Sequence, residues 1–263
     1  MSLTTSLDDV TDDVARLRHL FVNLYFCGQR DGWVLVDAGL PGATEPIIDA
    51  AETRFGAGAK PTAIVLTHGH FDHVGAFPTL FERWDVPVYA HPAELPHLTG
   101  KAEYPPPDPT VGKGVMALLS FAYPNKPIEL GARVKPLPED GSVPGLPGWR
   151  WLHTPGHTAG HVSLFRDADR CLIAGDAFVT TEQESLYAVM TQKLEINGPP
   201  AYFTPDWTAA RRSVEALAAL DPEIAATGHG TPMRGEPLRQ GLATLARDFD
   251  RLAVPAHGRY VQR

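Results

Sequence analysis

The chain has 263 residues, 43% of them hydrophobic and 21% charged, an ordinary balance for a globular protein. With 23 basic against 31 acidic side chains its formal charge is −8, which disfavours a nucleic-acid partner, and no basic run offsets it. No apolar run approaches the roughly 18 residues of a membrane span, and the polar, acidic start from Met1 to Arg18 lacks the basic and apolar regions of a signal peptide, so the expected address is cytoplasmic.

In chain order, residues 1–18 are expected as an N-terminal arm or edge element, and 19–263 as a single domain. Residues 19–27, aromatic and apolar, read as a strand. After turn residues 28–32, a second strand over 33–37 ends at Asp37-Ala38-Gly39. A carboxylate at such a tip either orients a neighbour or makes a plain turn. Residues 43–55 predict a helix ending at Gly56, and 62–66, apolar and β-branched after Pro61, predict a short buried strand. Cys27 and Cys171, each in an apolar strand-like run, read as buried free thiols.

The next stretch, Thr67-His68-Gly69-His70-Phe71-Asp72-His73, sits where that strand ends and a helix should begin. Three imidazoles and a carboxylate in six residues exceed what one tetrahedral site takes from so short a segment, whereas two adjacent metal ions would use them all. The helix continues over 72–84, with Pro78 expected to kink or shorten it. A strand over 86–90 follows. Residues 91–127 combine a proline-stiffened stretch, 104–109, with an apolar, helical 115–123, and read as ordinary core, a lid or substrate wall, or a dimer contact.

Beyond a strand over 149–152, the loop Thr154-Pro155-Gly156-His157-Thr158-Ala159-Gly160-His161 presents His157. Strands over 162–165, 170–175 and 224–228 come next, the last two ending at Asp176 and His229. Polar residues just past strand ends are where functional groups from separate strands converge. A metal pair needs roughly seven protein ligands and a shared water. The candidates are His68, His70 and His157 for one ion, Asp72, His73 and His229 for the other, and Asp176 between them. Imidazole and carboxylate without thiolate suit zinc first, with iron or manganese as alternatives. The tail, 235–253, predicts a single amphipathic helix with Leu238, Leu242, Leu245, Phe249 and Leu252 on its core face.

These motifs, in this order, resemble the metallo-β-lactamase fold superfamily over residues 19–230, in its dinuclear hydrolase branch that includes glyoxalase II and the acyl-homoserine lactonases. The resemblance implies an α/β protein, a four-layer αβ/βα sandwich with two sheets face to face and helices outside. It implies that Asp37 supports the metal-binding turn, and that His161 hydrogen-bonds within its loop and binds no metal. Asp176 stands where β-lactamases of the main zinc class carry cysteine, and Val179 where the best-known lactonases carry tyrosine. The basic region with which glyoxalase II grips glutathione and the pattern of persulfide dioxygenases are both missing.

The expected chemistry is hydrolysis of a small ester, thioester or lactone by a metal-bridging hydroxide, with Asp72 and Asp176 as catalytic carboxylates. A phosphodiesterase on the same metals, which would want a basic groove, and a mononuclear iron dioxygenase are the competing enzymes. A non-catalytic metal scaffold is disfavoured, because structural zinc sites are closed. Tyr187 and Lys193, in the long segment after Asp176, are the candidate substrate contacts. The expected partner is a small-molecule substrate, with self-association as a homodimer left open.

Overall fold

Two sheets organise the computed structural model, which describes residues 5–111 and 114–261. The first four residues of the expected arm, and residues 112 and 113 of the 91–127 segment, lie outside the described residues. The chain divides into two compact units, Met1–Glu103 with Lys126–Trp149, and Tyr104–Asn125 with Arg150–Arg263. The 91–127 segment is shared between them.

The first sheet runs in sequence order: β1 (Ser6–Thr11), β2 (Val14–His19), β3 (Val22–Gln29), β4 (Gly32–Val36), β5 (Ala63–Val65), β6 (Val88–Ala90) and β7 (Val134–Pro136). The first four strands are antiparallel neighbours joined by tight turns. From β4 onward the pairs are parallel, which requires long crossover connections. Helix α1 (Thr44–Phe55) supplies the first, and α2 (Phe71–Val74) with α3 (Phe77–Arg83) the second. Helix α4 (Leu95–Leu98) begins the third. The core of this unit gathers Leu24, Phe26, Trp33, Ile47, Phe55 and Leu80, all buried. Trp33 stacks on Phe55 with ring centroids 4.5 Å apart, so the inner faces of β4 and α1 lock together.

The second sheet has the order β13-β12-β11-β10-β9-β8, from β8 (Ser142–Val143), β9 (Leu146–His153), β10 (Val162–Arg166), β11 (Cys171–Gly175), β12 (Ile224–Thr227) and β13 (Met233–Arg234). Only the β11–β12 pair among those with a described register is parallel, and its long crossover holds α6 (Leu186–Thr191) and α7 (Trp207–Ala219). Helix α5 (Val115–Leu119) also belongs to the second unit. Helix α8 (Gly235–Arg247) packs on α7 and buries Leu238, Leu242 and Leu245, and α9 (Phe249–Leu252) sets Phe249 against Trp207.

Several expected elements are cut where the backbone turns. Of the expected arm or edge element, the described residues take the second form: β1 is the edge of the first sheet with β2 beside it, tied by Arg16 to Asp8. The strand expected over 19–27 is interrupted at Leu20, whose φ of 60° makes the β2–β3 turn. The helix expected over 72–84 breaks between α2 and α3, and Pro78 opens α3, where its missing N–H costs nothing. The tail helix ends at Asp248 and restarts, which leaves Leu252 exposed. Cys27 and Cys171 are buried thiols outside any disulfide, as expected.

Candidate metal centre

In the first unit, β4 and β5 are parallel and in register, Val36 facing Val65, so the residues just past both strands share one end of the sheet. Asp37 follows β4 with a left-handed φ of 65° that aims its carboxylate at the turn after β5. Asp37 Oδ1 accepts from Thr67 N at 2.8 Å. Its Oδ2 accepts from Thr67 Oγ1 at 2.7 Å and from His73 Nδ1 at 2.9 Å. Two proton positions follow. His73 carries its proton on Nδ1 and keeps a lone pair on Nε2. Thr67 spends its one hydroxyl proton on Asp37, so its oxygen accepts from His68 Nδ1 at 3.1 Å, and His68 also keeps its lone pair on Nε2.

The His68 ring lies 4.1 Å from that of His73 and 4.7 Å from that of His70, centroid to centroid. All three histidines are buried, and Asp72 is buried beside His73, with 4.0 Å between a carboxylate oxygen and Nε2. His70 holds an extended conformation just before α2, which separates its direction from that of Asp72 and His73 on the helix. One residue of this set escaped the sequence reading. Glu94, fully buried just past β6, accepts from Gly69 N at 3.0 Å and pins the turn between His68 and His70. Its only sequence signal is its place a few residues beyond a strand end.

In the second unit, parallel pairing of β11 and β12 sets Asp176 and His229 side by side past the strand ends, with Gly228 N bonded to Gly175 O at 2.9 Å. Asp176 Oδ2 lies 3.2 Å from His229 Nε2 and 3.5 Å from His157 Nε2. Thr204 donates to Pro200 O at 2.8 Å, so it accepts from His157 Nδ1 at 3.4 Å, which again leaves the lone pair on Nε2. The loop carrying His157 is held by Gly156, whose φ of 134° and close approach to the Ala210 backbone admit no side chain.

His161 has a different task. Its Nε2 accepts from the backbone N–H of Asp176 at 2.9 Å, so its proton sits on Nδ1 and goes to Thr154 Oγ1 at 2.8 Å. Thr154 passes on to Ser163, and Ser163 to Ala174 O. Both ring nitrogens are used inside the protein, and they position the Asp176 backbone. Tyr187 is 73% exposed on α6, and Lys193 pairs with Glu195 at 2.6 Å on the surface. Neither joins the buried ligand set of its unit.

The donors suit a divalent cation. Neutral imidazoles with Nε2 lone pairs stand beside buried carboxylates, and an ionised carboxylate in such a place needs a positive partner. In the second unit Asp176 meets imidazoles, whose nitrogens and its own oxygen would share metal ions of the zinc, iron or manganese type.

Comparison with known proteins agrees with this chemistry. A family model described as the metallo-beta-lactamase superfamily matches residues 17–229. The chain is 51% identical over 227 residues to YflN of Bacillus subtilis, described as a probable metallo-hydrolase, covering 85% of this chain and 86% of that one. It is 32% identical over 209 residues to YybB of the same organism, also described as a probable metallo-hydrolase, covering 80% of each. Among solved structures, TTHA1623 in a di-iron-bound form is similar at 29% identity with a TM-score of 0.54, covering 86% of this chain and 92% of that one. A B3 metallo-β-lactamase with an active-site glutamic acid matches in fold, at 18% identity and a TM-score of 0.62, over 92% and 87% of the two chains.

Proposed function

The chain belongs to the metallo-β-lactamase superfamily and is a metal-dependent hydrolase; from that premise we propose that it cleaves a small carboxylic ester, thioester or lactone at a pair of divalent metal ions. In this reading His68, His70 and His157 hold one ion, Asp72, His73 and His229 the other, and Asp176 both. When bound, such ions would lower the pKa of a coordinated water and polarise the carbonyl under attack.

The chain's own residues do the rest. Asp37 holds the protons of His73 and, through Thr67, of His68 on Nδ1, so both rings offer Nε2 without rearrangement. His161 fixes the backbone from which Asp176 projects. Asp72, slightly open to solvent at 8% exposure, would take a proton from the attacking water and pass it to the leaving oxygen or sulfur. The observation that supports this reading best is the shared preparation of His68, His73 and His157, each bonded at Nδ1 and each left with its Nε2 lone pair. Zinc is the expected metal; the likeness to a di-iron protein makes iron the first alternative.

The test is a panel of lactones, thioesters, carboxylic esters and phosphodiesters offered to metal-loaded protein, with oxygen uptake followed in parallel. Turnover confined to the carboxylic substrates is the expected outcome. Turnover confined to phosphodiesters, or oxygen consumption without hydrolysis, would replace this reading.

A further inference from the structure

Two short helices of the second unit turn their apolar sides outward. In α5, Val115, Leu118 and Leu119 fall at i, i+3 and i+4, one helix face, and all are exposed while the small Ala117 is buried. Phe121, in the turn that follows, is 70% exposed. In α6, Leu186, Tyr187 and Met190 are exposed, and Ala188 and Val189 are buried. A helix packed on its own core does the reverse. The two helices start from touching backbones. Gly114, which caps α5, has no room for a side chain against the Glu184 carbonyl, and the next residue, Ser185, caps α6. The two apolar faces therefore start from one place.

We propose that this face docks a second copy of the chain in a two-fold dimer. The exposed surface of these seven side chains is on the order of 800 Å², the share one partner gives to a standard interface. Charge selects the occupant. A helix that lies on a membrane carries Lys and Arg at its rim, whereas α6 is bordered by exposed Glu182 and by the Lys193–Glu195 pair, in a chain of charge −8. The Lys193–Glu195 pair, closed at 2.6 Å within the chain, is self-complementary about a two-fold axis, where the two copies would exchange partners. The face also adjoins the ligands of its unit. Tyr123 donates to Met116 Sδ of α5 at 3.7 Å and packs on Phe203, whose ring stands at right angles to that of His157 with centroids 6.5 Å apart. Docking would brace that aromatic wall.

Sedimentation velocity of the full chain, from low to high micromolar concentration, tests the proposal. The native protein is expected to sediment as a dimer. The double variant Leu118→Glu, Phe121→Glu should sediment as a monomer with unchanged circular dichroism, its dissociation constant raised about tenfold or more. A native monomer at every concentration overturns the proposal, as does a double variant that folds and still dimerises. Hydrogen exchange of the unmodified chain gives an independent reading. Protection over 115–121 and 186–190 should rise with protein concentration, and its failure to rise overturns the proposal even if the variant does not fold. Native protein that stays monomeric and co-sediments with phosphatidylcholine vesicles would assign the face to lipid instead.

Discussion

One carboxylate, Asp37, determines the protonation of two imidazoles. It bonds His73 directly and His68 through the Thr67 hydroxyl, and it sits at a left-handed φ that asparagine tolerates. Asp37→Asn should therefore fold, yet bind metal about 10–100-fold more weakly. Competition with a coloured chelator reads this out, and unchanged affinity would mean that the two rings are oriented by something else. The strand-tip placement of Asp37 was visible in the sequence, as were all seven ligand candidates, because each lies at a strand end beside glycine or another ligand. Glu94 and Thr204 were not visible. Their roles consist of single bonds, to Gly69 N and His157 Nδ1, between residues 25 and 47 positions apart. No local pattern records a contact of that kind.

At the scale of elements, the turn between β10 and β11, the strand that leads to Asp176, is tied by an ion pair. Arg166, ending β10, makes paired bonds of 2.8 and 2.7 Å to Asp169, which also accepts from Cys171 N as β11 begins. The Arg166 guanidinium holds the Asp169 carboxyl below its ordinary value of 3.8. A depressed carboxyl value means the folded chain releases this proton more readily than the unfolded one. Its stabilisation is thus present above about pH 4 and lost as pH falls through the lower folded value. Asp169→Asn should melt below the native protein at neutral pH, and the gap in Tm should close as pH falls from about 5 toward 3. A gap that stays constant across that range would separate Asp169 from acid sensitivity.

The same scale shows where pattern reading stops. Periodicity found α1, β4, β10, β11 and β12 nearly at their observed bounds, since each is one uninterrupted buried run or face. It ran through Leu20, through the Gly75–Ala76 break and through Asp248, because apolar residues continue on both sides while the chain reverses or restarts. Leu20 in particular takes a positive φ that its side chain does not favour, and only the pairing of β2 with β3 selects it.

For the whole molecule, the order of metal-ligand motifs along the chain made the two-sheet fold legible, and family membership and the likeness to solved structures bear that out. The substrate was not legible in the same way. Ligand geometry is set by strand ends and short turns, whereas substrate shape depends on the long segments around α5 and α6, whose composition permits core, wall or interface alike. Tyr187 and Lys193 show the difficulty: their residue types suit a substrate contact, yet one lies on an outward face and the other is already paired. The proposed dinuclear centre requires the seven ligands to act together on two ions. Elemental analysis of metal-loaded, dialysed protein tests that most directly. It should return two equivalents of zinc, iron or manganese per chain, and a value of one or none would contradict the dinuclear centre.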